Sequence, residues 1–423
     1  MVRTGRRRIG SGTIGALGAA VVVLVAGCAV PPSPPRPPAS TTTTSAPAST
    51  TTTEALPTTT TEAPSPSTTT ALPSSTTTTS TTVPAGPAGT IVRVSDSIGG
   101  EGGGSSYGPT VSGDGSRVAY WSTAFDMVPD PNGTVPDVYL WDATTGTARL
   151  SDAPCSDART PVISDDGQVV VFTSGRSSVC VWDASTGTAS RIGLGRARGV
   201  SSDGSRVLFT AGLTNVFVWD ATTGSTTLVT DRGDYDPRIS SDGRYVAYST
   251  DDSGLADDTN GVPDVLVWDG ATGQTTRITD GDGPSRYPDI SAGGRYVAFL
   301  SEATNLVPGQ TSAPGVFVWD AETGMTRYVA LGGAPAISDD GRYVALAWWA
   351  SDLVPGDTNE VQDVFLWDAR TDIISRLTEG DGETYTPAIS ADGNAVTFES
   401  EAANLTDDDP DGVRDVFLWR RTG

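Results

Sequence analysis

The chain has 423 residues and a formal net charge of −24, with 51 acidic residues, 27 basic residues and no histidine. A chain this acidic is a poor candidate for non-specific nucleic-acid binding, which needs basic patches against phosphate. The absence of histidine excludes Ser-His-Asp and Cys-His catalysis and histidine-liganded metals. The 49 Gly and 29 Pro are typical of an all-β chain with many turns beside a low-complexity segment.

The first residues have the layout of a secretory signal. Its basic residues come first and are Arg3, Arg6, Arg7 and Arg8. An apolar run follows from Ile14 to Ala26 and ends in small residues before Cys28. This ending resembles the lipobox of bacterial lipoproteins, whose cysteine is lipidated and becomes the mature N-terminus. The resemblance predicts a signal peptide over residues 1–27, lipidation at Cys28 and a location on the extracytoplasmic face of a bacterial membrane. The alternative is an ordinary signal anchor with an incidental cysteine.

Residues 28–89 continue from that cysteine as a segment rich in Pro, Ser, Thr and Ala, with threonine runs such as Thr41–Thr44. This composition supplies no apolar core. We therefore predict a disordered stalk that separates the folded part of the chain from the membrane.

Residues 90–423 contain one four-stranded unit seven times, and the clearest copy spans Tyr235 to Asp282. Its predicted strands are Pro237–Ser240, Arg244–Ser249, Asp264–Asp269 and Thr275–Thr279. The glycine of its first turn recurs as Gly115, Gly167, Gly204, Gly243, Gly294, Gly341 and Gly393, and the tryptophan of its third strand as Trp141, Trp182, Trp219, Trp268, Trp319, Trp367 and Trp419. Four strands cannot bury both faces of their sheet alone, so the units must stack. The repeat predicts an all-β, seven-bladed propeller of four-stranded antiparallel blades.

The two ends of this region predict how the ring closes. Residues 90–96 match the fourth strand of other units, such as Thr276–Asp280, whereas the seventh unit reaches Gly423 shortly after Trp419. We expect the N-terminal strand to complete the last blade beside Asp415–Trp419, which removes an exposed sheet edge.

The repeat reads Pro-x-Ile-Ser-x-Asp-Gly-Arg-Tyr-Val-Ala-Tyr and then Asp-Val-x-Val-Trp-Asp, and it resembles the TolB-like (WD-like) β-propeller repeat. In the fourth unit the match is carried by Pro237, Ser240, Asp242, Gly243, Val246, Ala247, Trp268 and Asp269. The resemblance covers residues 90–423 and implies periplasmic or surface proteins that bind other proteins, or propeller caps on serine peptidases. The motif is informative about fold rather than function. Since no hydrolase domain accompanies the repeat in this sequence, we do not expect the peptidase activity.

The repeated turns, Ser-x-Asp-Gly and Trp-Asp-x-x-x-Gly, must share one face of the ring, and we interpret them as scaffold. Function is expected on the opposite, variable face. Five residues before each first-strand serine lie Tyr107, Arg159, Arg196, Tyr235, Arg286, Gly333 and Tyr385. We expect the Tyr and Arg residues at the mouth of the central channel, where they can bind a peptide, glycan or anionic group. The alternative is that they bridge blades or pair with nearby acids.

Trp121, Trp348 and Trp349 are expected in the core rather than in a contact patch.

Acidic loops on the variable face suggest calcium. In the last unit Asp407, Asp409, Asp411, Gly412 and Asp415 occupy positions that calcium loops use for ligands and for the sharp turn. Weaker versions contain Asp258, Asn260 and Asp264, or Asp357, Asn359 and Asp363. The glutamate that ends an EF-hand loop is missing, and a solvated turn is the alternative.

With Cys28 lipidated, Cys155 and Cys180 remain as an even pair in an oxidising compartment. We predict a disulfide within the second blade; two separate buried thiols are the alternative.

These features favour a binding function over catalysis. The chain contains no phosphate-binding loop, no Gly-x-Ser-x-Gly turn and no lysine, so paired carboxylates such as Asp236, Asp289 or Glu383 are the remaining catalytic option. The leading hypothesis is a monomeric, membrane-anchored propeller that binds a protein, peptide or envelope polymer. The alternatives are a carboxylate-based glycosidase or lyase, and a mainly structural envelope protein stiffened by calcium.

Overall fold

The computed structural model describes residues 87–422 apart from gaps at 96–103, 125–126, 129–134, 176, 234, 252–257, 259, 311–312, 350–352, 408 and 410–411. The predicted signal peptide, Cys28 and the predicted stalk lie outside the described residues, and the boundary at residue 90 stays a prediction. No helix of the length and apolarity required to cross a membrane occurs in the described part of the chain.

The described residues form strands and one short 3₁₀ turn at Ala292–Gly294. The strands of the first half are β1 Gly89–Arg93, β2 Ser106–Val111, β3 Arg117–Ser122, β4 Asp137–Asp142, β5 Gly146–Arg149, β6 Ala158–Ile163, β7 Val169–Ser174, β8 Ser178–Asp183, β9 Thr188–Leu194, β10 Arg196–Val200, β11 Arg206–Ala211, β12 Asn215–Asp220, β13 Thr226–Thr230 and β14 Tyr235–Ile239. Those of the second half are β15 Tyr245–Thr250, β16 Asp264–Asp269, β17 Gln274–Arg277, β18 Ser285–Ile290, β19 Tyr296–Ser301, β20 Gly315–Asp320, β21 Met325–Leu331, β22 Ala336–Ile337, β23 Tyr343–Trp348, β24 Asp363–Asp368, β25 Ile373–Arg376, β26 Thr384–Ile389, β27 Ala395–Ser400 and β28 Asp415–Arg421.

Seven four-stranded antiparallel sheets result, which confirms the seven-bladed propeller. Blades 1 to 6 each take four consecutive strands, beginning with β2–β5, and blade 7 combines β26, β27 and β28 with β1. Inner strands are apolar on both faces because each blade packs between two others: Val297, Ala298 and Phe299 are consecutive and fully buried. The core is therefore divided into layers between blades.

The N-terminal strand closes the ring as predicted. β1 pairs with β28 over a register that runs from Gly89 opposite Arg421 to Arg93 opposite Phe417. The pairing continues past the strand, where the Val94 amide donates to the Val416 carbonyl at 2.8 Å. The two distant parts of the sequence thus share one sheet.

A recurrent polar contact, which we call the Asp–Arg corner, joins the third and fourth strands. In blade 4 the buried Asp264 carboxylate accepts the Thr279 hydroxyl at 2.7 Å and the Arg277 guanidinium at 3.1 Å. The corners are Asp137, Arg149 and Ser151 in blade 1, Asp264, Arg277 and Thr279 in blade 4, Asp363, Arg376 and Thr378 in blade 6, and Asp415, Arg93 and Ser95 in blade 7. In blade 7 the arginine is the last residue of β1 and the hydroxyl is that of Ser95, two residues later, so closure reproduces a contact that other blades make locally.

The repeated turns are satisfied within themselves, as a scaffold requires. In blade 4 the Ser240 hydroxyl donates to Asp242 at 2.5 Å and accepts the Tyr245 amide at 3.0 Å. Gly243 has a φ of 70°, which L side chains rarely adopt. We call the side of the ring that carries these turns the constant face, and the opposite side the variable face.

Cys155 and Cys180 form a disulfide, with their Cα atoms 6.2 Å apart and both residues fully buried. It ties the connection that enters blade 2 to the third strand of that blade, β8. The disulfide is in the blade whose loop between the second and third strands, β7 and β8, is short.

Candidate functional site

The variable face carries a row of stacked aromatic and guanidinium groups across blades 7, 1 and 2. We call it the aromatic–arginine row, and it consists of Tyr385, Arg414, Tyr107, Trp121 and Arg159. The Arg414 guanidinium lies 4.0 Å from the Tyr385 ring centre and 5.6 Å from that of Tyr107. Tyr107 stacks on Trp121 with ring centres 4.5 Å apart, and Arg159 lies 5.8 Å from the Trp121 ring centre. The groups form one continuous surface between blades.

Strand register explains why these side chains meet. Tyr107 in β2 is paired directly with Trp121 in β3, so the two rings leave the sheet side by side. Arg414 precedes the third strand of blade 7, and its guanidinium spans the junction with blade 1. Each member therefore lies where its strand reaches the variable face.

Two glutamates hold Arg414 in place. Its guanidinium contacts Glu401 at 2.6 Å and Glu399 at 3.3 Å. Although burial works against the charge, the Glu401 bond and the Glu399 carboxylate raise the pKa of Arg414, which stays cationic. Glu399 is buried and also accepts the Gly108 amide at 2.7 Å and the Thr386 hydroxyl at 2.8 Å. The charge of the row is thus fixed in position before any ligand arrives.

Burial and the Glu401 carboxylate raise the pKa of the Tyr385 phenol. The phenol is therefore neutral at physiological pH and remains a hydrogen-bond donor. Beside it, the row presents a permanent cation at Arg414, so both kinds of donor lie on one surface.

A tryptophan pair in blade 6 lies beside the end of the row at blade 7. Trp349 is 57% exposed, and its indole donates to Glu383 at 2.8 Å. Trp348 lies 6.4 Å away between ring centres and is half-buried. The expectation that both belong to the core was wrong for Trp349, because the second strand of blade 6 ends one residue before it.

The predicted ring of Tyr and Arg residues separates into different places. Tyr107, Arg159 and Tyr385 join the row. Arg286 faces Glu302 at 3.6 Å beside a separate cavity of about 200 Å³. Arg196 is exposed at the start of β10, and Tyr235 begins β14. The structure therefore brings three of the six predicted residues together.

The channel wall begins one residue after the predicted positions in several blades. A β-bulge interrupts most first strands at this point, as between Tyr107 and Thr110, and Gly108 and Thr160 there have positive φ angles of 57° and 51°. The bulge reverses side-chain alternation, so Gly108, Thr160 and Thr386 line the channel. The predicted ring was placed at the channel mouth because each of its residues precedes an innermost strand, and the bulge puts the next residue on the channel wall.

The channel itself has a volume of about 380 Å³ and is acidic at its constant-face end. Two repeated turns supply carboxylates there, Asp165 in blade 2 and Asp339 in blade 6. The Ser241 hydroxyl donates to Asp339 at 2.6 Å. Burial, together with the Asp165 and Asp289 carboxylates, raises the pKa of Asp339 to about 6.

In the predicted calcium loop of blade 7, an arginine supplies positive charge. The Arg93 guanidinium lies 3.5 Å from the Asp409 carboxylate and 3.4 Å from that of Asp415. Asp407 is exposed, and Asp411 lies outside the described residues. Where the structure describes the chain, no group of three His, Cys, Asp or Glu side chains is arranged to hold a metal. Calcium binding stays a prediction.

The weaker calcium loops have the same arrangement. Arg277 contacts Asp258 at 3.7 Å as well as Asp264, and Arg376 contacts Asp357 at 2.7 Å. Sequence reasoning missed these arginines because each follows its acids by a whole hairpin.

Comparison with known proteins gives the fold. No family model and no curated protein matches the chain. Among solved structures it is similar to an oligogalacturonate lyase in complex with manganese, at 13% identity and a TM-score of 0.55 over 78% of this chain and 93% of that one. An oligogalacturonate lyase from Vibrio parahaemolyticus matches over the same shares, at 13% identity and a TM-score of 0.54. The propeller domain of the Trilobed protease from Pyrococcus furiosus matches at 13% identity and a TM-score of 0.52, over 76% and 98%.

These likenesses show a propeller fold and leave activity open. A TolB structure from Agrobacterium tumefaciens matches over 56% of this chain and 87% of that one, at 18% identity and a TM-score of 0.40. The TolB-like resemblance therefore continues to rest on the repeat motif in the sequence.

Proposed function

We propose that this chain is a membrane-anchored, extracytoplasmic propeller that binds a protein, peptide or envelope polymer through its variable face. The observation that carries the proposal is the aromatic–arginine row. Strand register sets the spacing of the rings, Glu399 and Glu401 hold Arg414, and Asp157 contacts Arg159 at 3.0 Å, so binding costs little side-chain ordering. Such surfaces stack on rings or sugars and donate hydrogen bonds to anionic groups.

The location of the row supports this proposal. The constant-face turns use their polar groups on their own backbone, whereas the row extends over three blades and presents half-buried rings to solvent. Trp349 adds an exposed indole at one end. Tyr, Trp and Arg, which combine apolar surface with a polar or charged group, are the residue types that most often dominate the binding energy at interfaces.

The test is crosslinking of the full chain to its partner in intact cells, with two variants in the row. Arg159→Glu reverses a partly exposed charge, and Tyr385→Ala removes a ring. We expect each variant to reduce crosslinked partner about tenfold, as loss of a hot-spot contact does. The matched control is Arg191→Glu, which changes an exposed arginine on the outer strand of blade 2 and should retain capture.

The outcomes separate the ligand classes. Protease treatment of the cells before crosslinking should remove a protein or peptide partner, and glycan-degrading treatment should remove a polymer. Unchanged capture by both row variants, at unchanged thermal stability, would refute a role for the row.

The alternative is a carboxylate-based glycosidase or lyase, and it is favoured by the propeller likeness to oligogalacturonate lyases. Of the candidate acids, Asp289 lines the channel and accepts the Ile337 amide at 2.8 Å, while Glu383 is engaged by Trp349. Incubation with uronic-acid oligosaccharides would test it: ultraviolet absorbance of an unsaturated product, lost in Asp289→Asn, would favour catalysis.

A further inference from the structure

A cavity of about 770 Å³ lies between blades 5 and 6 at the constant face. Tyr296, Val318 and Tyr328 of blade 5 and Trp367 of blade 6 provide its apolar surface, and Met325 stands at its edge, 68% exposed. The volume lies in the range of pockets that hold a small organic molecule. We call this cavity the interblade pocket.

The pocket is built from exceptions to the repeat. Arg327 is paired with Val318, and at that register position the other blades have small or aliphatic residues. These residues are Ala148, Ser190, Thr227, Thr276, Ser375 and Val92. Arg370 likewise stands where other blades have Thr144, Ser185, Thr222, Ala271 and Glu322. Neither arginine is needed to form a blade.

A third exception lies in the turn of blade 6. Asp372 has a φ of 58° at the position that Gly146, Gly187, Gly224, Gly273 and Gly324 occupy in the other blades. Positive φ is uncommon for a non-glycine residue, although aspartate adopts it more readily than most. The Asp372 carboxylate accepts the Trp367 indole at 3.0 Å and contacts the Arg327 guanidinium at 2.5 Å.

These contacts fix a cation over an aromatic ring at the pocket wall. The Arg327 guanidinium lies 4.8 Å from the Trp367 ring centre and donates to the Ala369 carbonyl at 3.4 Å. It crosses from the outer strand of blade 5 to blade 6 and stays 46% exposed. The guanidinium is stacked on the Trp367 ring and paired with Asp372, and its exposed part lines the pocket.

The guanidinium of Arg370 is available to an anion in the pocket. Asp320 is paired with Arg295 at 3.3 Å, and Asp340 accepts the neutral Ser338 hydroxyl at 2.8 Å. Arg342 is neutralised by Asp368 at 2.8 Å. Arg370 is exposed and forms no ion pair with any residue that the structure describes.

We propose that the interblade pocket binds a small amphipathic anion, with its apolar body against Met325, Tyr328 and Trp367 and its carboxylate or sulfonate on Arg370 and Arg327. The apolar wall supplies most of the affinity, and the two guanidinium groups select the charge. This site is separate from the aromatic–arginine row, since it lies on the opposite face.

Anilinonaphthalenesulfonate is a suitable probe because it joins an aromatic body to one sulfonate and fluoresces in apolar surroundings. The full chain is titrated with the probe, beside Arg370→Thr and Arg327→Thr, which install residue types found at those positions in other blades. We expect saturable binding whose Kd rises about tenfold in each variant, as removal of one charge-assisted hydrogen bond predicts. The matched control, Arg191→Thr on the outer strand of blade 2, should leave Kd unchanged.

Two results would overturn the proposal. One is equal binding by the native chain and both pocket variants, which would place the probe elsewhere. The other is equal affinity for an uncharged naphthylamine analogue, which would remove the selection for an anion. Both substitutions introduce residue types found at the same position in other blades, so we expect the variants to fold. Thermal midpoints within about a degree of the native value would show that they do.

Discussion

Two groups of buried carboxylates in this propeller have contrasting surroundings. At the Asp–Arg corners each acid faces a guanidinium and a hydroxyl, as Asp264 faces Arg277 and Thr279. At the constant-face end of the channel Asp339 accepts the Ser241 hydroxyl, while its charged neighbours, Asp165 and Asp289, are themselves acids. Burial raises the pKa of the carboxyl in both places; at the corner Thr279 and Arg277 oppose that rise, whereas in the channel the neighbouring acids add to it.

The contrast extends to how far the partners lie apart in the sequence. Corner partners are one hairpin apart in three blades, but in blade 7 they come from the two ends of the propeller. Channel acids meet across the axis from blades 2 and 6. Loss of a corner should therefore affect one blade, except in blade 7, where it should affect the closure of the ring.

Deletion of residues 87–95 should give the largest effect. It removes a complete strand, exposes the edge of β28 and leaves Asp415 without Arg93 and Ser95. We expect the thermal midpoint to fall by on the order of 10 °C or more, with aggregation through the exposed edge. Calorimetry and size-exclusion chromatography measure both, and a chain that begins at Pro87 is the control. An unchanged midpoint would show that β1 is dispensable for closure.

Arg277→Met should have the next largest effect. It leaves the buried Asp264 and Asp258 without their cation, and breaking a buried pair in this way costs about 3–5 kcal/mol. The free energy of unfolding in urea measures it. The control in the same blade is Arg244→Met, whose ion pair with the half-buried Asp269 is screened by water and whose loss should therefore cost much less. Equal costs would contradict the special role of the corner.

Asp339→Asn should have the smallest effect, and in the opposite direction. The folded-state pKa of Asp339, about 6, lies above the ordinary 3.8, so its carboxylate destabilises the folded chain above pH 6. The variant should be more stable at neutral pH by on the order of 1–2 kcal/mol, allowing for solvent screening in the channel. The difference should fade as pH falls from 6 through 3.8.

The same variant tests whether the channel acids act on one another. In a chain that already carries Asp165→Asn, the Asp339→Asn substitution should add less stability than it does in the native chain, because one repelling carboxylate is already gone. Additive changes in the free energy of unfolding at pH 7 would show that burial, and not the Asp165 carboxylate, raises the pKa of Asp339.

Much of the fold could be predicted from the sequence because it is encoded by local repetition. Gly243 and Trp268 recur at fixed places in the unit, and residues 90–96 match a strand that the last unit lacks. The candidate site was harder to predict from the sequence. Arg414 and Glu399 stand outside the repeated motif, and the residues that follow the bulges in the first strands, such as Thr160 and Thr386, line the channel. Arg93 neutralises acids more than 300 residues away, a pairing that no local pattern contains.

The closing strand also determines how the propeller bears mechanical load. The chain enters β1 at Gly89, beside Arg421 at the constant face, whereas the aromatic–arginine row lies on the other side of the ring. A pull exerted between a ligand on that row and the residues before Pro87 would act along β1. Its register pairs with β28 would then be sheared together instead of opening one at a time. Such a geometry resists extension until several hydrogen bonds fail at once, which makes the strand that closes the ring also the element that limits its tensile strength.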